Sequence, residues 1–314
     1  MNDLSSLRCI VLGAGGFVGT NLCRSLVGQV DTLRAFGRRQ SFPEALSHKD
    51  IDWIPGDFSD SSALASAVSG CDTVYHLITS TTPASSNVDK LYDLQANVAS
   101  TLHLLDICKD QNVRRVIFVS SGGTVYGIPN QIPTPENSPL NPICAYGISK
   151  LAIEKYLALY EHLYGLEYRI LRVSNPFGPF QTAIRSQGVI SAFIHKVLNN
   201  RPIEVWGDGS IVRDYIYIDD VVDALKSASL HNGSERIFNI GSGSGKSLTE
   251  IIDAISHLRS IDTPTRYLDA RASDVPTSIL DISLAKEALS WQPKSNFLDG
   301  LNKTVAWQEH DFNV

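Results

Sequence analysis

The 314-residue chain has no apolar run near the ~20 residues that a membrane-spanning helix needs. Its apolar stretches, such as Cys9–Leu12 and Val116–Val119, are the length of strands. Met1 to Arg8 holds no apolar core of the length a secretory signal requires, so the chain reads as cytoplasmic. Basic charge is not in excess: 27 Lys and Arg stand against 33 Asp and Glu, a formal net charge of -6. Without a basic stripe, a nucleic-acid partner is not expected. Cysteine is sparse and odd in number, with five residues (Cys9, Cys23, Cys71, Cys108 and Cys144) and no C-x-x-C spacing. That argues against a disulfide framework or a zinc site, and no metal is expected; the thiols read as small buried hydrophobes. No internal repeat or low-complexity tract stands out.

What is present is ordinary globular material, 43% hydrophobic and 19% charged, which excludes a disordered, collagen-like or coiled-coil chain. At roughly 150 residues per domain the length implies two units, or one large α/β unit with an appendage. Up to about residue 174 strand and helix patterns alternate. Strands are expected at Arg8–Leu12, Thr32–Phe36, Asp52–Pro55, Thr73–Ile78, Val116–Val119 and Tyr168–Val173. Helices are expected at Phe17–Val27, Ser61–Val68, Val88–Lys109 (one long helix) and Tyr146–Tyr164. Such alternation predicts an α/β fold: a doubly wound parallel sheet with helices on both faces. Beyond Asn175 six prolines cut the pattern into shorter pieces. The division expected is a dinucleotide-binding domain over 1–174 with a return near 211–240, and a smaller substrate-binding region from 175–210 and 241–314.

Gly13-Ala14-Gly15-Gly16-Phe17-Val18-Gly19 follows the first strand and opens the first helix. Gly13 allows a tight turn, Gly16 lets backbone approach a pyrophosphate, and Gly19 permits close helix packing. The helix N-terminus at Phe17 and Val18 then offers amides and a positive dipole end to the phosphates. The second strand ends in Phe36-Gly37-Arg38-Arg39, where an acid would hold an adenosine ribose 2′-hydroxyl. Arginines at that place suit a 2′-phosphate, because the guanidinium fork matches phosphate oxygens. NADP(H) is therefore favoured, with NAD(H) the alternative. Asp57 is placed to reach the adenine. Gly241–Ser247 imitates a phosphate-binding loop, but Ile240 stands where its first glycine belongs. A flexible loop before a helix starting near Leu248 is expected instead.

Tyr146 and Lys150 are four apart and share one helix face. An ammonium beside a phenol favours the phenolate, which would make Tyr146 usable as an acid and base near neutral pH. The order glycine loop, Asn97, Ser120-Ser121-Gly122-Gly123-Thr124-Val125-Tyr126-Gly127, Tyr146–Lys150, Asn175-Pro176, Val212-Arg213-Asp214-Tyr215 and Arg271 to Asp274 resembles the extended short-chain dehydrogenase/reductase family, especially its nucleotide-sugar 4-epimerases. The likeness runs nearly the whole chain.

The resemblance implies a Rossmann-type fold and a set of roles. Tyr146 would exchange a proton with the sugar 4-hydroxyl, and Lys150 would hold the nicotinamide ribose. Phe58, Leu77, Asn97, Ser120 and Val173 would line the cofactor. Asn175 would meet the phosphates or sugar, Arg213 and Arg271 the diphosphate, Asp274 a ribose hydroxyl, and Trp206 the base, with Val189 beside the substrate. Ser278 falls at the sugar-pocket gate, where a small residue leaves room for an N-acetyl group. The family places a serine or threonine where Gly122 stands, which leaves Thr124, Ser121 or a water to supply the missing hydroxyl.

The partner implied is a nucleotide sugar, most naturally a UDP-sugar, in the supply of surface-polysaccharide precursors. The first reading is a 4-epimerase acting on a UDP-hexose or UDP-N-acetylhexosamine. The second is an NADPH-dependent 4-keto-6-deoxy-sugar reductase, favoured by Arg38, Arg39 and Gly122. The third is a non-catalytic dinucleotide-binding regulator. A dehydratase wants an Asp-Glu pair where Gly123 and Thr124 stand. A homodimer is expected through the two long helices, with Tyr156, Leu159 and Tyr160 facing outward.

Overall fold

The computed structural model describes residues 3–40, 43–46, 48–182, 188–259, 263–270 and 275–312. Seven strands form one parallel sheet: β1 (Arg8–Leu12), β2 (Thr32–Gly37), β3 (Asp52–Pro55), β4 (Thr73–His76), β5 (Arg115–Ser121), β6 (Glu167–Val173) and β10 (Ile237–Ile240). Their order is β10-β6-β5-β4-β1-β2-β3, with parallel register throughout. This is the doubly wound Rossmann arrangement, whose strand order reverses between β1 and β4.

Both faces are covered because the strands carry apolar side chains both ways. Cys9, Val11 and Ile117 point into one core with the helices α1 (Phe17–Leu26) and α8 (Ile218–Leu230). Ile10, Leu12, Val116 and Phe118 point into the other with α2 (Ser61–Val68), α5 (Ser100–Asp110) and α6 (Ala145–Tyr164). A strand buried on both faces reads as the continuous apolar run seen in the sequence. Helix α6 stops at Gly165, whose φ of 72° is the left-handed conformation that glycine adopts without strain.

The expected single helix over Val88–Lys109 is instead broken. After α3 (Pro83–Ser86) come α4 (Lys90–Asp93), a wider π turn over Leu94–Ala99, and then α5. At the break the Asn97 side chain donates to the Asp93 carbonyl at 3.0 Å and so intrudes on the backbone ladder, while Ser80, Thr81 and Ser149 from other elements hold Asn97 and Asp93 in place.

The later part forms a small sheet, β11 (Gly245–Ser247), β9 (Val212–Tyr217) and β13 (Thr277–Ser278), with β7 (Asn175–Phe177) also paired to β9. A second pair joins β8 (Ile203–Trp206) and β12 (Thr265–Leu268). Helices α7 (Val189–Leu198), α9 (Leu248–Arg259) and α11 (Phe297–Phe312) pack around them, and α10 (Ser283–Ala288) lies against β10 of the large sheet. Within 211–240, β9 belongs to the small sheet while α8 and β10 complete the large layer. The phosphate-loop imitation is not a loop throughout: Gly245–Ser247 pairs antiparallel with β9, and α9 begins at Leu248. Among the described residues no helix is long and apolar enough to cross a membrane.

Candidate active site

The carboxyl ends of the parallel strands and the small sheet enclose a cleft of about 1220 Å³. At the β1–α1 turn Gly13 has φ +87°, and its amide donates to the Phe36 carbonyl at 3.0 Å. A Cβ on Gly19 would stand 2.2 Å from the Gly13 carbonyl oxygen, so only glycine lets α1 start this close to the turn. No side chain caps α1 at Gly16. Its first turn therefore presents backbone amides to the cleft, and this cradle fits a dinucleotide pyrophosphate. Gly13, Gly16, Phe17, Val18 and Gly19 all line the cleft.

At the far end of β2 a Cβ on Gly37 would lie 2.6 Å from the Trp53 ring. An acidic side chain there has no room, because the indole of β3 fills its place. Trp53 Nε1 donates to the Arg39 carbonyl at 3.2 Å. Arg38 and Arg39 are exposed on the cleft rim beside it. Asp57 accepts from the Ser59 hydroxyl at 2.6 Å and the Ser59 amide at 2.9 Å, and these bonds hold its carboxyl below the usual range. Phe58, Leu77 and Val173 form the apolar part of the wall.

Tyr146 sits on the first turn of α6, with Lys150 one turn on. Lys150 Nζ donates to the Val119 carbonyl at 2.9 Å and lies 4.6 Å from the Phe118 ring centroid and 5.6 Å from that of Tyr146. Burial pulls its ammonium down to about 8, against Glu154 and Asp93, which favour the charge. The phenol does not behave as the spacing predicted. Burial pushes Tyr146 up to about 12, and the lysine does not offset it; a hydrogen bond with the Thr79 side chain works the other way. Beneath the pair, burial pushes His76 down to about 3, so it is neutral. Its Nε2 meets the Thr101 hydroxyl at 2.8 Å.

Two buried carboxylates flank Lys150. Glu154 takes the Arg172 guanidinium at 2.6 Å and the Ser120 hydroxyl at 2.5 Å. Ser120 therefore faces the cleft with its side chain already committed. Asp93 accepts from the Ser149 hydroxyl at 2.5 Å, from Thr81 and from Asn97. The α6 N-terminus is capped by another segment: the amides of Ala145 and Tyr146 donate to Asn87 Oδ1 and Ser86 Oγ, both at 3.0 Å.

Gly122 has no space for a hydroxyl. A Cβ there would be 2.5 Å from Leu280 Cδ1 and 3.0 Å from the Arg172 carbonyl oxygen. Two residues on, Thr124 packs against Gly147 on the first turn of α6, and its Oγ1 is buried with no hydrogen-bond partner. A buried hydroxyl without a protein partner can be satisfied by a bound water or a ligand. Ser121 lines the same wall.

Asn175, Val189, Trp206 and Arg213, expected on the substrate side, also line the cleft. Asn175 Nδ2 donates to the Asp214 carbonyl at 3.0 Å, and Arg213 to the Val212 carbonyl at 2.9 Å. Two expected residues do not reach the wall. Asn97 spends its amide on Asp93, Thr81 and the Ser80 amide. Ser278 is held in β13 opposite Arg213. Arg271 and Asp274 lie outside the described residues. Thr79, Ser86, Asn87 and Asp93 carry no motif signal, and spacing along the chain did not reveal them. Among the described residues no group of three or more His, Cys, Asp or Glu is placed to hold a metal.

Residues 9–241 match the model of the NAD dependent epimerase/dehydratase family. The chain belongs to that family. It is an enzyme of the extended short-chain dehydrogenase/reductase type, as its resemblance implied, and the cradle at Gly13–Gly19 fits the family's dinucleotide. A UDP-glucose 4-epimerase of Mycolicibacterium smegmatis is 33% identical over 306 residues, covering 95% of this chain and 97% of that one. A dTDP-4-dehydro-6-deoxyglucose reductase of Escherichia coli is also 33% identical, over 307 residues, 94% of this chain and 96% of that one. The solved UDP-glucose 4-epimerase of Thermotoga maritima with UDP-glucose superposes with a TM-score of 0.92 at 31% identity, covering 98% of this chain and 100% of that one.

Proposed function

We propose that this family member is a nucleotide-sugar 4-epimerase that takes a UDP-hexose or UDP-N-acetylhexosamine and inverts C4 through a transient 4-keto sugar. One observation carries the reading: the pyrophosphate cradle, the Tyr146–Lys150 pair and the polar wall of Asn175 and Arg213 open into a single cleft. A nicotinamide held by the Gly13–Gly19 cradle and Lys150 would supply the hydride acceptor and donor for C4. Tyr146 takes the 4-hydroxyl proton and gives it back, while the Lys150 ammonium holds the nicotinamide ribose. Ser121 and Thr124 line the same cleft and are the candidates to supply the hydroxyl that Gly122 lacks. Asn175 and Arg213 take the diphosphate, joined by Arg271 and Asp274, and Trp206 lies beside the base with Val189. Holding hydride acceptor and proton acceptor against one carbon is the main source of rate.

NADP(H) is the preferred dinucleotide in this reading. The support is Gly37 under Trp53, which leaves no place for an acid, and the exposed Arg38 and Arg39 beside it. The same feature favours the second reading, a 4-keto-6-deoxy-sugar reductase, as does the similarity to the reductase of E. coli. A homodimer is supported by an apolar strip on the outside of α6, where Ile148, Tyr156, Leu159 and Leu163 are exposed at helical spacing. The free thiols, four of them buried, suit a reducing compartment such as the cytoplasm.

The test is made on purified protein. Denaturation releases any retained dinucleotide for identification, and fresh enzyme is incubated with UDP-glucose and UDP-N-acetylglucosamine. Retained NADP(H) or NAD(H) and 4-epimer product, with no bulk cofactor consumed, is the expected result. No epimer, but stoichiometric NADPH oxidation with a 4-keto-6-deoxy sugar nucleotide, would replace the epimerase by the reductase.

A further inference from the structure

The place of an acid at the end of β2 is filled from the neighbouring edge strand. Ala35 and Gly37 share one face of β2, and the register sets Trp53 of β3 opposite Ala35. Both β2 residues are small, which leaves room on that face for an indole. A Cβ on Gly37 would stand 2.6 Å from Trp53 Cη2, and 3.4 Å and 3.5 Å from Cζ2 and Cζ3. The same Cη2 lies 3.6 Å from the Cβ position of Gly15, in the turn between β1 and α1. The six-membered ring thus reaches from the edge strand to the glycine turn.

That ring is held at two places. Its body packs against the core that contains Ala35 and Leu22, and Nε1 donates to the Arg39 carbonyl at 3.2 Å. A rigid ring held in this way does not swing aside as the end of a flexible chain would, so a side chain at residue 37 overpacks the contact. The same hydrogen bond joins β3 to the Arg38–Arg39 turn on the exposed rim of the cleft. Asp57, an acid on the same wall, is already bonded to the Ser59 amide and hydroxyl.

Resting on the preference for NADP(H) proposed above, we infer that Trp53 is a specificity-determining residue for the dinucleotide. Its indole occupies the space that an acid needs in order to hold an adenosine ribose 2′-hydroxyl, and its N–H fixes the arginine turn that meets a 2′-phosphate. Glycine at residue 37 by itself neither binds nor repels a 2′-phosphate. The indole is what makes that glycine obligatory. Specificity is therefore shared by two strands, and a change in β2 alone does not reverse it.

The experiment compares the wild type, Gly37→Asp, Trp53→Ala and the double variant as full-length proteins. Dissociation constants for NADP and NAD are measured by exchange against the dinucleotide each protein retains, and circular dichroism checks the fold. The wild type is expected to bind NADP more tightly than NAD, and Trp53→Ala to keep that order. Gly37→Asp alone weakens both dinucleotides, because the carboxylate and the indole compete for one space. In the double variant the carboxylate has room, and NAD is expected to bind about 10- to 100-fold more tightly than to Gly37→Asp, the size of one hydrogen bond to a charged group. A tryptophan that only packed would change folding stability and leave NAD affinity unmoved. Should Gly37→Asp not fold, the double variant is compared with Trp53→Ala and the same gain is expected; Trp53→Leu replaces Trp53→Ala should the double variant not fold. If the wild type prefers NADP but the folded double variant binds NAD no more tightly than its reference, the inference is overturned and the cofactor preference stands. If the wild type prefers NAD, the preference fails and this inference falls with it.

Discussion

A Cβ built on Gly122 stands 2.5 Å from Leu280 Cδ1 and 3.0 Å from the Arg172 carbonyl oxygen, so the glycine answers a packing requirement at the place where the family's hydroxyl would be. Gly122→Ser should therefore overpack the contact and lower stability by about 1–3 kcal/mol. Denaturant unfolding checks this; a serine accommodated at no cost would show that Leu280 yields and that the position is open. Which residues face one another was readable where regular spacing alone decides it: Gly13 to Gly19 in a strand–helix turn, Tyr146 and Lys150 one helical turn apart. What those groups do to each other was not. The lysine was expected to lower the phenol, yet the desolvation of both groups dominates, and desolvation depends on everything packed around them.

Elements with a long period were found from the sequence close to their bounds, while their ends and interruptions were not. Helix α6 has Cys144 at its N-cap with no side-chain cap bond, and its first amides are satisfied by Ser86 and Asn87 some 60 residues earlier in the chain. A cap supplied from so far away leaves no local sequence signal. It should nonetheless be worth what a local cap is worth. Ser86→Ala and Asn87→Ala are each expected to cost about 0.5–2 kcal/mol, measured as a fall in the unfolding midpoint. The break between α4 and α5 has the same character. Periodicity from Val88 to Lys109 is helical, but Asn97 and Asp93 open the ladder because their partners Thr81, Ser80 and Ser149 lie on other elements.

At the scale of the molecule, the outer strip of α6 leaves large apolar side chains exposed. Leu159 is 43% and Leu163 54% exposed, more than a monomer gains by showing side by side. Tyr160, expected to face outward with them, instead packs inside and donates to Asp106 at 2.8 Å. Leu159→Glu should convert a dimer to a monomer in sedimentation equilibrium while leaving the far-ultraviolet circular dichroism unchanged. A wild type that sediments as a monomer would remove the strip's assigned purpose. The sequence by itself determined the parallel αβ alternation, the dinucleotide cradle, and the Tyr146–Lys150 pair, because each is written in spacings shorter than two helical turns or in apolar runs of strand length. Only the tertiary structure decided that Trp53 closes the place of an acid at Gly37 and that Leu280 closes Gly122. Those contacts join residues from separate strands and loops, and only the packing of the whole sheet and its helices brings them together.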